Sequence, residues 1–499
     1  MLPPEATDWP PAKPAYRPLL SDPGGEAPPK DRMLALFDRL SQLDGRYDDA
    51  IECLSEGATV AHRLQRIWTP FSYSKDEDID RWRAHFLAAL ADFETTGYDP
   101  HEAYDALAQM HTFNVAYQGR DVLPLLKPFG QLVHRVAAHV APDLVEPIEP
   151  KGRHGKIRVG YISHNLFGNH ASRWARGWAR SHADDFEVYA FNIGNTTDEV
   201  TADWQNIADY YYSMPRRPAA GARFIRDLEL DALVFTDLGM NGRSYQYAGF
   251  RLAPVQCTAW GHPVSSGLPT IDYYLSSDLM EPPGAEGHYS ECLVRLPESG
   301  LCYPRPTGTP SELGRSELGL TNKGPLVVLC QNTMKFLPQW DFLYAGIAER
   351  LRVPLVAVES IVRSANEELR TRMQRLGVKV VWIPRIRHNG HYLRLLQLAD
   401  VSLDPPGWSG GNTTIETLLM GTPVVTLPGE FMRGNHSMAF HQIAGVPGLI
   451  AKDPEDYVDL ACDFERQLEA MKGLNLDALF DDLRPVRALD DFLRQATRA

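Results

Sequence analysis

From residue 157 onward, short apolar runs alternate with helical stretches, and they do so in two series. IRVGYIS (157–163), FEVYAFNI (186–193), ALVFTDL (232–238) and VQCTAWG (255–261) form the first. PLVVLCQN (325–332), VPLVAVES (353–360), VKVVWIP (378–384), ADVSLDP (399–405) and TPVVTLP (422–428) form the second. Apolar runs of this length bounded by turn residues read as strands, and helices between them point to parallel βαβ units. The expected class is therefore α/β, with two Rossmann-like lobes. In open parallel sheets, ligands bind outside the carboxyl ends of the strands, so the cleft between two facing lobes is the default site.

The stretch 303–325 is rich in Pro, Gly, Ser and Thr and reads as the connection between lobes. Nine prolines in 1–30 predict a flexible or extended tail. Residues 31–149 read as helical: Met33, Leu36, Phe37 and Leu40 share one spacing, and Trp82, Phe86, Leu90 and Phe93 another. GRYDDAIECLSEG (45–57) is similar to the middle of a tetratricopeptide repeat. One unit cannot bury both faces of such an array, so it reads as a repeat remnant, a capping pair or an ordinary helical hairpin. Residues 453–499 read as helical throughout. The expected organisation is a Pro-rich tail (1–30), a helical region (31–150), an N-terminal lobe (151–305), a linker (306–324), a C-terminal lobe (325–475) and a C-terminal helix (476–499).

Composition narrows the partners. Asp and Glu number 64 against 50 Lys and Arg, for a net charge of -14. Nucleic-acid affinity needs clustered cations, so this balance argues against it. No apolar run approaches the roughly 18 residues of a membrane span. MLPPEATDWPPAKPAYRP lacks the basic and apolar regions of a secretory leader, so a cytoplasmic location is expected. The six cysteines show no CxxC spacing, which fits free thiols in a reducing compartment.

The chemistry gathers at strand ends. In SLDPPGWSGGNTTIETLLMGTPVVTLPGE (402–430), a strand ends at Asp404 and a Gly/Pro loop leads into a helix opened by Asn412, Thr413 and Thr414. The free N–H groups of a helix start attract phosphate. Gly410 and Gly411 would let a diphosphate approach, the threonines add hydroxyls, and Glu416, expected in the first turn, would bind a ribose diol. N-capping alone would use Asn or Thr there, but it leaves the glycines and GTPVVTLPGE unexplained. CQNTMKFLP (330–338) puts Asn332 and Lys335 just past another strand end. Lys335 there would neutralise a departing diphosphate; the alternative is a solvated surface lysine. In FGNHASRW (167–174), His170 either serves a sugar or proton transfer or caps a helix. His262, in WGHP after the fourth strand, is a polar handle on the acceptor or sugar side, or part of a structural turn. Tyr392 either faces a nucleotide base or packs.

Taken together, RVGYIS…GNH, RLAPVQCTAWGHPVSSGLPTIDYYLSS, YSECLVRLPESGLCY, QLADVSLDPP and GTPVVTLPGE resemble the signatures of the protein O-GlcNAc transferase and SPINDLY-like family. HTFNVAYQGRDVLPLLKPF (111–129) is similar to the segment before the first lobe in its bacterial members, and the resemblance spans roughly 105–460. It implies a GT-B fold and an inverting, metal-independent transfer of a sugar from a nucleotide-sugar to a protein side chain. It implies that Lys335 contacts the donor diphosphate beside Asn332. It further implies that Asn412 and Thr413 meet the phosphates, that Glu416 meets the ribose, and that His170 lies near the transferred sugar. His262 stands where the O-GlcNAc branch has Tyr, as in the bacterial cytoplasmic N-glycosyltransferases, and Glu416 replaces an expected Asp. The linker is shorter than the inter-lobe domain of animal members.

The resulting expectation is a glycosyltransferase moving GlcNAc or glucose from a UDP-sugar, as co-substrate, to Ser/Thr or Asn of a protein. No other cofactor, metal, nucleic acid or membrane span is expected. The alternatives are a sugar-nucleotide epimerase of the same fold and a non-catalytic nucleotide-sugar-binding protein.

Overall fold

A computed structural model describes residues 32–498 except 56, 58, 111, 151–154, 169 and 322; the side chains of 32 and 170–172 also lie outside the description. The Pro-rich tail expected over 1–30 falls outside the described residues.

Both expected sheets are present and every strand pair in them is parallel. The N-terminal lobe holds β1 (Ile157–Ser163), β2 (Phe186–Asn192), β3 (Tyr210–Ser213), β4 (Ala232–Phe235), β5 (Val255–Ala259), β6 (Tyr273–Ser277) and β7 (Cys292–Leu296), in the order β3-β2-β1-β4-β5-β6-β7. The C-terminal lobe holds β8 (Val327–Leu329), β9 (Leu355–Val358), β10 (Val380–Ile383), β11 (Val401–Leu403) and β12 (Val424–Val425), in the order β10-β9-β8-β11-β12.

The apolar runs mark four N-lobe strands, and the described residues form seven. β3 and β7 are the two edges of the sheet. β3 reads YYYS and β7 reads CLVRL, with most of β7 only partly buried, so neither carries a continuous apolar run. β6 (YYLSS) is buried but ends in two serines, which masks it. β4 and β5 also stop short of the apolar runs, at 235 and 259. The residues left over, Thr236–Leu238 and Trp260–Gly261, become strand-end loops.

The helical region is not a free appendage. Helix Asp76–Thr96 buries Trp82, Phe86, Leu90 and Phe93, as their spacing required. Helix Leu123–Val140 brings Phe129 within 5.3 Å of the Tyr245 ring of the N-lobe. Gly130 packs so close to Gly267 that a Cβ would sit 2.3 Å from its carbonyl oxygen, a contact only glycine permits. The region and one face of the N-lobe therefore share a core. The repeat-like stretch forms helix Tyr47–Ser55, whose Tyr47 meets Trp68 and Trp82 edge-on or tilted, followed by helix Val60–Gln65.

The C-terminal segment is not continuously helical. Helices Pro454–Cys462 and Phe464–Met471 give way to an irregular stretch before helix Arg484–Ala496. Within that stretch Gly473 abuts Gly445, where a Cβ would lie 2.5 Å from the Gly445 oxygen. The last helix crosses back to the N-lobe: Asp490 accepts from His182 and the Ala183 N–H, and Arg494 pairs with Asp185 at 2.7 Å. The described residues of the linker run without regular structure between β7 and β8. None of the six cysteines is in a disulfide.

Candidate donor site between the lobes

The order of each sheet reverses once, between β1 and β4 and between β8 and β11. Loops diverge at such points and leave a crevice beyond the strands. The sequence-predicted motifs leave the sheets there.

After β8, Asn332 caps a short turn, its Oδ1 accepting the Met334 N–H at 3.1 Å. The turn delivers Lys335. Its Nζ donates to the Ser409 carbonyl at 2.9 Å and to Gln331 Oε1 at 3.3 Å, and lies 5.5 Å from the centre of the Trp408 ring. It is thus not a solvated surface lysine. Burial lowers its pKa to about 8, and nearby Asp404 opposes that fall. Asp404 follows β11 directly. Its carboxylate accepts the Gly410 N–H and the Thr426 hydroxyl, each at 2.7 Å. Burial raises its pKa to about 6, while Lys335 pulls it down. The aromatic floor, Trp408, meets the Tyr117 ring at a tilt of 31° with centroids 4.2 Å apart, so the segment before the first lobe reaches the C-lobe loop.

Helix Asn412–Leu419 opens beyond this loop. The two glycines before it do different work. A Cβ on Gly410 would sit 2.2 Å from Gln331 Nε2 and from Thr414 Oγ1, so packing alone demands glycine. A Cβ on Gly411 would meet nothing within 4 Å, so this glycine borders open space at the helix start. Asn412 Oδ1 accepts from the Tyr303 hydroxyl. Thr413 is half-buried and its hydroxyl interacts with that of Tyr392. Tyr392 also donates to the Cys330 carbonyl at 3.3 Å, tying helix Asn389–Leu398 to the end of β8. Thr414 is fully buried and bonds Ser437 Oγ at 2.7 Å. It joins two helices and does not share the half-open position of Thr413.

Glu416 is the fifth residue of this helix and not in its first turn, because the helix begins at Asn412. It lies one turn on from Asn412, on the same face. Its Oε1 accepts from Arg173 Nη1 at 3.1 Å. Arg173 belongs to the N-lobe helix His170–Ser181, so this ion pair closes across the lobes. Burial raises the Glu416 pKa and Arg173 opposes it.

The N-lobe face is less accessible to sequence reading. His170 opens its helix after β1, one turn before Trp174; its side chain lies outside the described residues. His262 is buried, with Nδ1 3.1 Å from the Leu238 carbonyl and its ring 5.4 Å from that of Phe113. Gly239, at φ +96°, passes so close that a Cβ would lie 2.3 Å from that nitrogen. His262 is thus packed within the turn that follows β5. Asp237 follows β4, is buried, and accepts from Ser163 and Asn165 at 2.8 and 2.5 Å. Burial raises its pKa to about 6.

The structure thus brings Asn332, Lys335, Tyr392, Gly411, Asn412, Thr413 and Glu416 to one end of the C-lobe sheet. Arg173, Tyr303, Asp404 and Trp408 join them without having been assigned a role from sequence. Asp404 and Trp408 lie in the strand-end loop already singled out. Arg173 and Tyr303 are recognisable only by what they touch.

Residues 345–482 match the model of glycosyl transferase family 41. The chain is 31% identical over 348 residues to a probable UDP-N-acetylglucosamine--peptide N-acetylglucosaminyltransferase, SPINDLY, of Oryza sativa subsp. japonica, covering 66% of this chain and 36% of that protein. It is 27% identical over 268 residues to a UDP-glucose:protein N-beta-glucosyltransferase of Actinobacillus pleuropneumoniae, covering 50% of this chain and 42% of that one. The chain therefore spans between a quarter and little more than a third of the SPINDLY relatives it matches. An O-GlcNAc transferase of Thermobaculum terrenum, solved as a mutant, shares the fold at a TM-score of 0.64 and 21% identity, covering 93% of this chain and 89% of that one. The two lobes with their helical preface form the GT-B arrangement, and the chain is a relative of the protein O-GlcNAc transferase and SPINDLY-like glycosyltransferases, with a family 41 segment over residues 345–482.

Proposed function

We propose that the protein is an inverting glycosyltransferase that moves GlcNAc or glucose from a UDP-sugar to a Ser/Thr or Asn side chain of a protein. The observation that carries this reading is Lys335. An ammonium is held inside the crevice by two oxygen acceptors, beside a helix start bordered by open space at Gly411. Both features favour a diphosphate. Relatives named for transfer from UDP-sugars to peptide or protein support the donor and the acceptor class.

In this reading the acceptor oxygen or nitrogen attacks the anomeric carbon as the bond to the diphosphate oxygen breaks. The leaving UDP gains negative charge. Lys335 and the N–H groups at Asn412 and Thr413 stabilise it, with Asn332 alongside. Glu416 binds the ribose and Tyr392 borders the base. Arg173 holds the Glu416 carboxylate in place until the donor competes for it. His170 serves the transferred sugar or the acceptor, where a neutral imidazole can take the proton the acceptor loses. No metal or further cofactor and no nucleic-acid partner enter the scheme. A cytoplasmic site of action belongs to the same reading. No helix among the described residues is long and apolar enough to cross a membrane.

The test is a nucleotide-sugar panel offered to the purified protein with co-expressed native proteins, read by intact mass. A gain of one hexose or N-acetylhexosamine on a protein is expected. A folded protein that binds no nucleotide-sugar would sink the reading, and a donor converted without any acceptor would mark an epimerase.

A further inference from the structure

Trp260 follows β5 in the N-lobe, and His436 opens helix His436–Ile443 in the C-lobe. Their rings meet across the crevice with centroids 4.8 Å apart. Both residues are buried, at 8% and 3% exposure. Trp260 Nε1 and His436 Nδ1 each lack a hydrogen-bond partner. A buried polar atom left so costs about 1–3 kcal/mol, and native proteins leave few. Two on touching rings call for a shared explanation.

The other histidine nitrogen identifies the chemistry. Nε2 faces the Met432 sulfur at 3.4 Å. A thioether only accepts, so Nε2 carries the proton and Nδ1 is an acceptor. Burial, with Lys335 and Arg433 as cationic neighbours, lowers the ring's pKa to about 3 and keeps it neutral. The pair therefore presents one donor, the indole N–H, and one acceptor.

Its position is equally specific. Ser437, next in the chain, donates its N–H to Ser409 Oγ at 3.2 Å, and the Ser409 carbonyl holds Lys335. His436 is thus one residue from the diphosphate cradle. On the other side Trp174 lies parallel to Trp260, with ring centres 6.5 Å apart, and it stands one turn from His170. The pair lies between the Lys335 cradle and the N-lobe helix that His170 opens.

We infer that Trp260 and His436 read the sugar ring of the donor, the indole N–H donating to one of its substituents and His436 Nδ1 accepting from the same substituent. This rests on the transferase reading. A hydroxyl satisfies both atoms with one oxygen; an acetamido group does so with its C=O and N–H. Either way, the pair recognises the sugar and leaves the nucleotide alone.

Calorimetric titration of wild type, Trp260→Phe and His436→Phe with UDP, UDP-glucose and UDP-GlcNAc tests this. Affinity for UDP should stay within twofold, while affinity for at least one UDP-sugar falls fivefold or more. His436→Gln, which restores an acceptor, should recover part of the loss. The sugar that suffers more distinguishes hydroxyl from acetamido recognition. Equal losses for UDP and UDP-sugar, or no loss for either sugar, would overturn the inference with the transferase reading intact. A wild type that binds no UDP-sugar overturns both. Should the variants fail to fold, 15N-histidine spectra of the wild type replace them: the His436 Nδ1 resonance must move with a UDP-sugar and not with UDP.

Discussion

Lys335 should make donor binding depend on pH in a range where lysine is normally inert. In the free protein its pKa is lowered from 10.5 to about 8 by burial. A diphosphate brought beside it favours the charged form and raises that value. If binding restores the ordinary value, the gain is about 2.5 pH units, or at most roughly 3.4 kcal/mol. Below pH 8 the free protein already holds the proton and the full affinity is present. As pH rises through 8, binding must first recover a proton. Affinity for UDP should then be about tenfold weaker at pH 9 than at pH 7, roughly 1.4 kcal/mol. Isothermal titration in two buffers of different ionisation heat reads both the affinity and the proton uptake. Lys335→Gln should bind more weakly at pH 7, by on the order of 1.5–3 kcal/mol for a lost charged hydrogen bond, and should lose this pH dependence. The variant also controls for titration of the uracil ring. A flat wild-type profile from pH 7 to 9, or the same slope in the variant, would refute the reasoning.

Other expectations come from the same loops. Gly410→Ala forces a methyl onto Gln331 and Thr414 and should cost about 1–3 kcal/mol of stability, more than Gly411→Ala; chemical denaturation showing the reverse order would contradict the packing argument. Thr414→Val breaks the buried bond to Ser437 and should lower stability by about 1–3 kcal/mol, whereas Thr413→Val should act mainly on donor affinity; melting and titration curves separate the two. Asp404 has a folded pKa raised from 3.8 to about 6, so the native state holds its proton more tightly than the unfolded chain does. Its contribution is therefore present below pH 4 and is lost as pH climbs to 6. Asp404→Asn should flatten that part of the stability curve, leaving the share of Asp237; an unchanged slope would disprove the assignment. Arg173→Ala should leave Glu416 buried without its cation and raise its pKa further, seen as a carboxyl band shifted to higher pH in infrared titration against Glu416→Gln.

Much of this architecture can be read from residue order alone. Central strands of a parallel sheet are buried on both faces, so β1, β2, β8 and β9 announce themselves as apolar runs. Because ligand loops follow such strands, the positions of Lys335 and of Asn412–Thr414 were legible as well. Edge strands β3 and β7 were not, because their exposed sides carry tyrosine and arginine instead of an apolar run.

Tertiary structure alone decided the rest. Which of two adjacent threonines turns inward depends on Ser437, 23 residues away. Glu416 finds its cation 243 residues back in the chain, and Asp490 meets His182 across 308. The same separation in sequence and contact in space unites Trp260 with His436. Periodicity and strand-end position are local properties, set by how each segment buries its own side chains. Charge pairs and orphaned ring nitrogens belong to surfaces that come together only when the lobes face one another, and no stretch of sequence carries them by itself.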